Sequence, residues 1–276
     1  MNMDKRYFCE APVFDISENY DKNLITVVST NLRCVNDGDK GKMNWFYRAP
    51  FLVKTVIAQK PDIIGCQECM AAHYEYLTAS LKGYGSFIDF RDDSDNPEAC
   101  PVFYNTAKFE LVKKGTFWLS ETPDRISKDW NSACYRICSF AILKQKKDGR
   151  ELAVFNTHLD HVSQQARING IKLILSKLEE FGGMPCVIMG DFNCYESSET
   201  YKAAAELFDD AKYRTDDTDS GATYQDFGKE LDGENIDYFF ISKTGIAVSQ
   251  YKVIRTTYDG VYPSDHFPIR LKMNLI

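Results

Sequence analysis

Pro185-Cys186-Val187-Ile188-Met189-Gly190-Asp191-Phe192-Asn193 is an apolar run that stops on an acid. Ahead of it, Ala166 to Phe181 sets Ile168, Ile171, Leu175 and Leu178 on one face at helical spacing. The pair reads as a helix followed by a buried strand, with Asp191 delivered at the strand's carboxyl end. An earlier stretch repeats the order. Pro50–Gln59 carries Phe51, Leu52, Val53, Val56 and Ile57 near helical spacing and stops before Pro61, and Asp62-Ile63-Ile64-Gly65-Cys66-Gln67-Glu68 reads as a buried strand ending on Glu68. Two helix-then-strand units, each ending on a carboxylate, predict helices laid on sheets.

Further strands are expected at Leu24–Ser29, which runs into Thr30-Asn31, and at Pro101–Tyr104, Ala133–Leu143, Glu151–Thr157, Ile236–Ile241 and Phe267–Leu275. That many strands points to α/β or α+β with large sheets. The polar stretches Asp92–Pro97 and Arg214–Gly221 read as loops, because strands continue on both sides of each.

At 276 residues, 44% of them hydrophobic and 13% aromatic, the chain can bury a sizeable core. Its 33 Lys and Arg against 40 Asp and Glu leave a net charge of −7, which excludes a global basic footprint for nonspecific nucleic-acid binding. No apolar run approaches the roughly 18 to 20 residues of a transmembrane helix. The N-terminus turns acidic before an apolar stretch can form, so cytoplasmic residence is expected. Nine cysteines, an odd number, suit reduced thiols better than a disulfide framework. Cys66-Gln67-Glu68-Cys69 has the spacing of a zinc or redox pair but lacks a second half, and no GxxxxGK phosphate loop exists.

Three of the four histidines, 158, 161 and 266, fall in polar clusters beside apolar strands; His73 reads as a helix residue. Asn156-Thr157-His158-Leu159-Asp160-His161 ends a strand, Gly190-Asp191-Phe192-Asn193 ends another, and Ser264-Asp265-His266-Phe267-Pro268 opens the last. With Glu68 and Asp237 they form a dispersed set of carboxylates, amides and imidazoles at strand ends, where α/β sheets place ligands. Such donors, without clustered thiolates, suit a hard divalent cation such as Mg²⁺, with Mn²⁺ as the alternative, and hence a phosphate substrate. Attack on a phosphoester needs an oriented water, charge relief on the nonbridging oxygens and help for the leaving oxygen.

The order Asn31, Gln67-Glu68, Thr157-His158-Leu159, Gly190-Asp191-Phe192-Asn193, Ile236-Asp237-Tyr238 and Ser264-Asp265-His266 closely resembles the endonuclease/exonuclease/phosphatase superfamily from about Leu24 to Leu275. The resemblance implies a four-layer α/β sandwich of two packed mixed β-sheets flanked by helices, with residues 1–23 an N-terminal extension and 24–276 a single domain. It implies Glu68 as principal Mg²⁺ ligand, with Asn31 and Asp265 assisting. Asp191, supported by Asn193, corresponds to the group that orients or deprotonates the attacking water. His266 corresponds to the histidine on the scissile phosphate and Asp237 to its carboxylate partner, and His158 to a second histidine placed to help the leaving group. Glu98 corresponds more loosely to the carboxylate that pairs with that second histidine. Arg136 is a phosphate contact by chemistry, since guanidinium binds phosphate oxygens bidentately. Asp160 reads equally as a catalytic neighbour or a rim residue.

The segments around Trp45…Arg48-Ala49-Pro50 and Phe117–Pro123 resemble small bacterial members most. The expected activity is a metal-dependent phosphodiesterase, foremost a nuclease. A phosphatase or sphingomyelinase-like hydrolase of a small-molecule or lipid phosphate is the alternative. The acidic charge tempers the nucleic-acid reading. No obligatory protein partner is expected. A catalytically inactive binding protein is disfavoured because Asn31, Glu68, Asp191, Asn193, Asp237, Asp265 and His266 are all present.

Overall fold

The structure, a computed structural model, describes residues 13–15 and 21–276. Most of the N-terminal extension expected over residues 1–23 therefore lies outside the described residues. Along the chain come β1 (Phe14–Asp15), β2 (Ile25–Asn31), α1 (Trp45–Ile57), β3 (Ile63–Gln67), α2 (Ala71–Ser80), β4 (Leu81–Lys82), β5 (Tyr84–Phe87), β6 (Val102–Asn105) and β7 (Phe109–Trp118). Then follow β8 (Ile137–Gln145), β9 (Glu151–His158), α3 (Gln164–Glu180), β10 (Cys186–Asp191), α4 (Glu199–Leu207), β11 (Asp209–Asp210), β12 (Asp237–Ile241), β13 (Ile246–Val253) and β14 (Ile269–Leu275). They build two mixed six-stranded sheets, β11-β12-β10-β9-β8-β7 and β13-β14-β2-β3-β6-β5. β1 and β4 form a short parallel pair.

Period-2 alternation sorts the strand residues into layers. Ile25 and Val27 of β2, Val154 of β9, Val187 and Met189 of β10, and Leu271 and Met273 of β14 meet in one core between the sheets. The opposite faces of β9, β10 and β12 pack Phe155, Ile188 and Phe240 against Ile171, Ile174 and Leu178 of α3. Val28, Ile64 and Phe103 pack against Leu52, Val53 and Val56 of α1 and Leu77 of α2. The result is four layers, helix–sheet–sheet–helix.

The inward-facing positions turn polar toward one end. β2 reads Ile25, Val27, Ser29, Asn31; β9 reads Leu152, Val154, Asn156, His158; β10 reads Val187, Met189, Asp191. Just beneath that end, Gln67 Nε2 donates to Asn156 Oδ1 (2.6 Å) and Ser29 Oγ (3.1 Å), fastening one sheet to the other. Gly65 makes room for this: a Cβ there would lie 2.5 Å from Met189 Cε and 2.9 Å from Asn156 Cγ.

β5, α4 and β13 are elements that the sequence reading did not give, and three other departures have a local cause. α1 begins at Trp45, not near Pro50, because Asn44 caps it, its side chain accepting from Phe46 N (3.1 Å), and Trp45 is buried. β8 begins at Ile137 and not Ala133, because Ala133 N and Cys134 N donate to Asp160 instead of to a strand. β7, with Lys113 and Lys114 beside a bulge, is an edge strand whose charges mask its pattern. His73, at the start of α2, is fully buried against Trp45 (ring centroids 4.1 Å apart). Its Nδ1 accepts from Met70 N (3.1 Å) and its Nε2 faces Arg33 O (3.2 Å), which specifies the neutral Nε2–H tautomer.

Burial, and then the Arg48 cation, push this imidazole down to about 3. The unfolded chain takes up that proton near 6.5, so the stability held by neutral His73 is complete above pH 6.5 and lost as pH falls toward 3. The loss reaches on the order of 5 kcal/mol. His73→Gln, able to keep both hydrogen bonds, is expected to flatten the acid limb; identical denaturant-derived stability slopes between pH 6.5 and 4 in both proteins would contradict it.

Candidate active site

Five strand ends and one pre-strand loop converge where the inter-sheet core meets solvent. β2 ends on Asn31, β3 is followed by Glu68, β9 ends on His158, β10 on Asp191, β12 opens with Asp237, and Ser264-Asp265-His266 precedes β14. Glu68, His158, Asp191, Asp265 and His266 line a cleft of about 490 Å³, within the roughly 300–1,000 Å³ usual for small-molecule sites, and the buried Asn31 and Asp237 are hydrogen-bonded to them.

Glu68 has a left-handed φ of 54°. Its Oε2 accepts from Cys34 N (2.7 Å) and its Oε1 from Asn31 Nδ2 (3.0 Å). Burial would raise its carboxyl, but these two donors hold it below the ordinary range. Asn31 Nδ2 also donates to Asp191 Oδ2 (3.1 Å), and Arg33 N donates to Asn31 Oδ1 (2.9 Å), which fixes the amide's orientation. Asp191 Oδ1 accepts from Asn193 N (2.9 Å). Burial first, then Asp237, push the Asp191 carboxyl up.

His266 Nδ1 lies 2.8 Å from Asp237 Oδ2, which leaves Nε2 facing the cleft, 3.7 Å from Asp191 Oδ2. Burial opposes its charge, yet Asp237, Asp191 and Asp265 raise it to about 10, so His266 is a cation at neutral pH. Asp237 is held in turn: Thr223 Oγ1 accepts from Ile236 N (3.0 Å) and Asp237 N (3.1 Å). His158 differs. Its Nε2 accepts from Asn193 Nδ2 (2.9 Å) and stands 3.4 Å from Asp191 Oδ2, and its buried Nδ1 has no partner among the described residues. Burial, then Arg136 and Arg91, push it well down, so it is neutral.

Glu98 is not joined to His158; it forms a fork with Arg91 (2.7 and 3.0 Å). Trp118 Nε1 supports that arginine through Arg91 O (2.7 Å). Asp160 does not line the cleft. Its Oδ2 accepts from Ala133 N and Cys134 N and its Oδ1 from Val162 N and Ser163 N, pinning the loop ahead of Arg136. Arg136 is buried and lines the cleft, its Nε 3.8 Å from Asp160 Oδ2 and its Nη2 3.3 Å from His161 Nδ1. Arg33 also lines the cleft, reaching Asp39 (3.1 Å) and Asp265 (3.6 Å). Sequence reasoning did not single out Arg33, Arg91 or Thr223. Arg33 stands two residues after Asn31 and could have been found by that spacing; the other two are joined to the site only through space.

The donor set fits a hard divalent cation. Burying the carboxylates of Asp191, Asp237 and Asp265 beside the half-buried Glu68 costs free energy that a cation offsets. Asp265 shows the strain, its carboxyl raised by burial and by Glu68. Cys34, the thiol beside Glu68, is pushed up to about 12 by burial and that carboxylate. Asp191, Asp237 and His266 also bring ligand atoms within 4.8 Å of one another. His266 and Asp237 are spent on each other, however, so Glu68 with Asn31 and Asp265 is the better-fitted set.

A model of the Endonuclease/Exonuclease/phosphatase family matches residues 43–266. The chain is similar to a family protein from Bacteroides thetaiotaomicron of solved structure, with 33% identity, TM-score 0.85, and 93% and 100% of the two chains covered. It is similar to the mannosyl-6-phosphatase of the same organism, with 34% identity, TM-score 0.83, and 90% and 99% covered. The Ccr4 3'-5'-exoribonuclease subunit of the CCR4-Not complex of Candida albicans is 24% identical over 84% of this chain and 38% of its own length. The chain spans between 30% and 56% of the first curated relatives it matches. Among the described residues no helix is long and apolar enough to cross a membrane. With the matched model covering most of the chain and the two-sheet architecture agreeing, this chain belongs to the endonuclease/exonuclease/phosphatase family.

Proposed function

We propose that the chain is a divalent-metal-dependent phosphoester hydrolase acting on a small soluble phosphate ester of sugar or nucleotide size. The observation that carries this is the convergence of Glu68, Asp191, Asp265 and His266 in one cleft with Arg33, Arg91 and Arg136 among its lining, and with the buried Asn31 bonded to Glu68 and Asp191. The cleft's volume, the net charge of −7 and the likeness to a sugar phosphatase over nearly the whole of both chains favour a small substrate over a polynucleotide. The Ccr4 similarity keeps nuclease action as the second reading.

In the reaction a water oxygen bonds to phosphorus, the ester P–O bond breaks, and the water's proton leaves as the alcohol oxygen gains one. Asp191 is the base: its Oδ2 faces the cleft, and Asn31 and Asn193 hold it. His266, aimed by Asp237, presents Nε2–H to a nonbridging phosphate oxygen, where its positive charge offsets the charge that develops. Neutral His158 holds the Asn193 amide, and Arg136 binds a second phosphate oxygen. Mg²⁺ or Mn²⁺ held by Glu68, with Asn31 and Asp265 beside it, would neutralise phosphate charge and ease departure of the leaving oxygen.

The test is phosphate release or chain cleavage from mannose 6-phosphate, nucleoside monophosphates, single-stranded DNA and RNA, and sphingomyelin, with Mg²⁺ or EDTA. Metal-dependent phosphate release from the small monoesters is expected. Cleavage of oligonucleotides alone would replace the small-ester reading with the nuclease one, and activity undiminished by EDTA would sink the metal-dependent mechanism.

A further inference from the structure

Arg48 of α1 is fully buried, and its hydrogen bonds go to main-chain carbonyls. Nε donates to Met43 O (2.9 Å), Nη1 to Leu32 O (2.6 Å) and Pro263 O (2.9 Å), and Nη2 to Arg33 O (2.8 Å). A buried guanidinium is usually retained through a carboxylate partner. Here it instead joins two loops far apart in sequence. Leu32 and Arg33 directly follow Asn31, and Pro263 directly precedes Ser264-Asp265-His266.

Three of the four tethered carbonyls lie within two residues of a group that would hold the cation: Leu32 and Arg33 beside Asn31, and Pro263 ahead of Asp265. Arg33 N donates to Asn31 Oδ1 (2.9 Å), and the next amide, Cys34 N, donates to Glu68 Oε2 (2.7 Å). Ser264 Oγ donates to Asn31 O (2.7 Å), closing the second loop onto the first. The fork geometry matters, because four carbonyls in different directions match the planar array of guanidinium donors, whereas an ammonium at the end of a flexible stem cannot reach all of them.

We propose that Arg48 is a positioning residue that sets the divalent-cation affinity of the Asn31–Glu68–Asp265 site by tethering the two loops that form it. The proposal rests on the metal-dependent reading above. It makes a prediction opposite in sign to simple electrostatics. Arg48 carries a positive charge near Asp265 and Glu68, so deleting that charge should by Coulomb's law tighten a cation; loss of the tether should loosen it.

The experiment titrates the full chain with Mn²⁺ and follows free ion by electron paramagnetic resonance. Wild type, Arg48→Met and Arg48→Lys are compared, with Glu68→Gln as a lost-ligand reference and Leu178→Ala as a control. Leu178 lies in the helical layer on the far side of the other sheet, so its loss lowers the melting temperature without touching the loops. Weakening of about ten- to a hundredfold is expected in both Arg48 variants, as is usual when a group that orients metal ligands is removed, with Leu178→Ala unchanged. Should Arg48→Met not fold, Arg48→Lys, which keeps the charge, carries the test. Unchanged or tighter Mn²⁺ binding in the folded Arg48 variants, or equal weakening in Leu178→Ala, would overturn the proposal. Absence of Mn²⁺ binding by wild type would overturn the metal-dependent reading itself, and this inference with it.

Discussion

Asp191→Asn is expected to lower turnover by about three to four orders of magnitude, the upper range for loss of a positioned general base, while the protein stays folded. The amide cannot take the water's proton, and its NH₂ would face the NH₂ of Asn31, now 3.1 Å from Asp191 Oδ2. Stability should hold for an electrostatic reason. Asp191 is a buried carboxylate raised by burial and by Asp237, so its neutral replacement removes a repulsion that the folded state bears. His266 keeps its 2.8 Å partner Asp237 and therefore its orientation. Initial rates on whichever ester the wild type cleaves, read beside the melting temperature, decide the matter. A variant within tenfold of wild-type turnover would remove Asp191 from the role of base; a variant that loses activity only because it unfolds would leave its melting transition as the witness.

The strand ends that deliver the candidate chemistry were legible because two local signals coincide there. An apolar run buried on both faces needs no partner information to be read as a strand, and a polar residue at its end on the inward parity must face the space between the sheets. Asn31, Asp191 and His158 all obey that parity. The family resemblance added the order of the motifs, and with it the four-layer stacking that periodicity alone left open between α/β and α+β. What could not be read is whatever depends on a through-space partner. Glu98 has no local mark saying that Arg91 would claim it, seven residues away. His73 looked like an ordinary helix residue because nothing in Ala71-Ala72-His73 reveals that its ring lies on Trp45 and that its Nε2 meets Arg33 O. Arg48 reaches Pro263 across 215 positions. The polar edge strand β7 was hidden for the converse reason: its residues answer to solvent and to the avoidance of edge pairing, so they carry no core pattern.

The second large effect is expected at Gly190. A Cβ on this residue would lie 1.8 Å from Thr157 O and 2.8 Å from Thr157 C, and its φ of +148° is a conformation that side chains rarely adopt. The obstruction is main chain, so no rotamer relieves it. Gly190 and Thr157 are register partners in the parallel pairing of β10 with β9, and one position on Asp191 pairs with His158. Gly190→Ala must therefore push β9 and β10 apart at the point where they present the candidate base and the neutral histidine. A loss of more than about 4 kcal/mol is expected, in the range reserved for a few severe mechanisms, with the melting temperature lowered by roughly 10 °C or more. Gly182→Ala separates the two causes. Gly182 also has positive φ, +77°, but a Cβ there meets nothing among the described residues within 4 Å; its cost should be limited to about 1–2 kcal/mol for the left-handed backbone. Calorimetric melting of both variants makes the comparison. If Gly190→Ala is no worse than Gly182→Ala, the close approach of the two strands is relaxed in solution, and the spacing between Asp191 and His158 cannot be what the Gly-Asp pair preserves. If it is far worse, the glycine of Gly190-Asp191-Phe192-Asn193 is there to let the strands close and the aspartate is there to act, which is why the two stand together in the sequence.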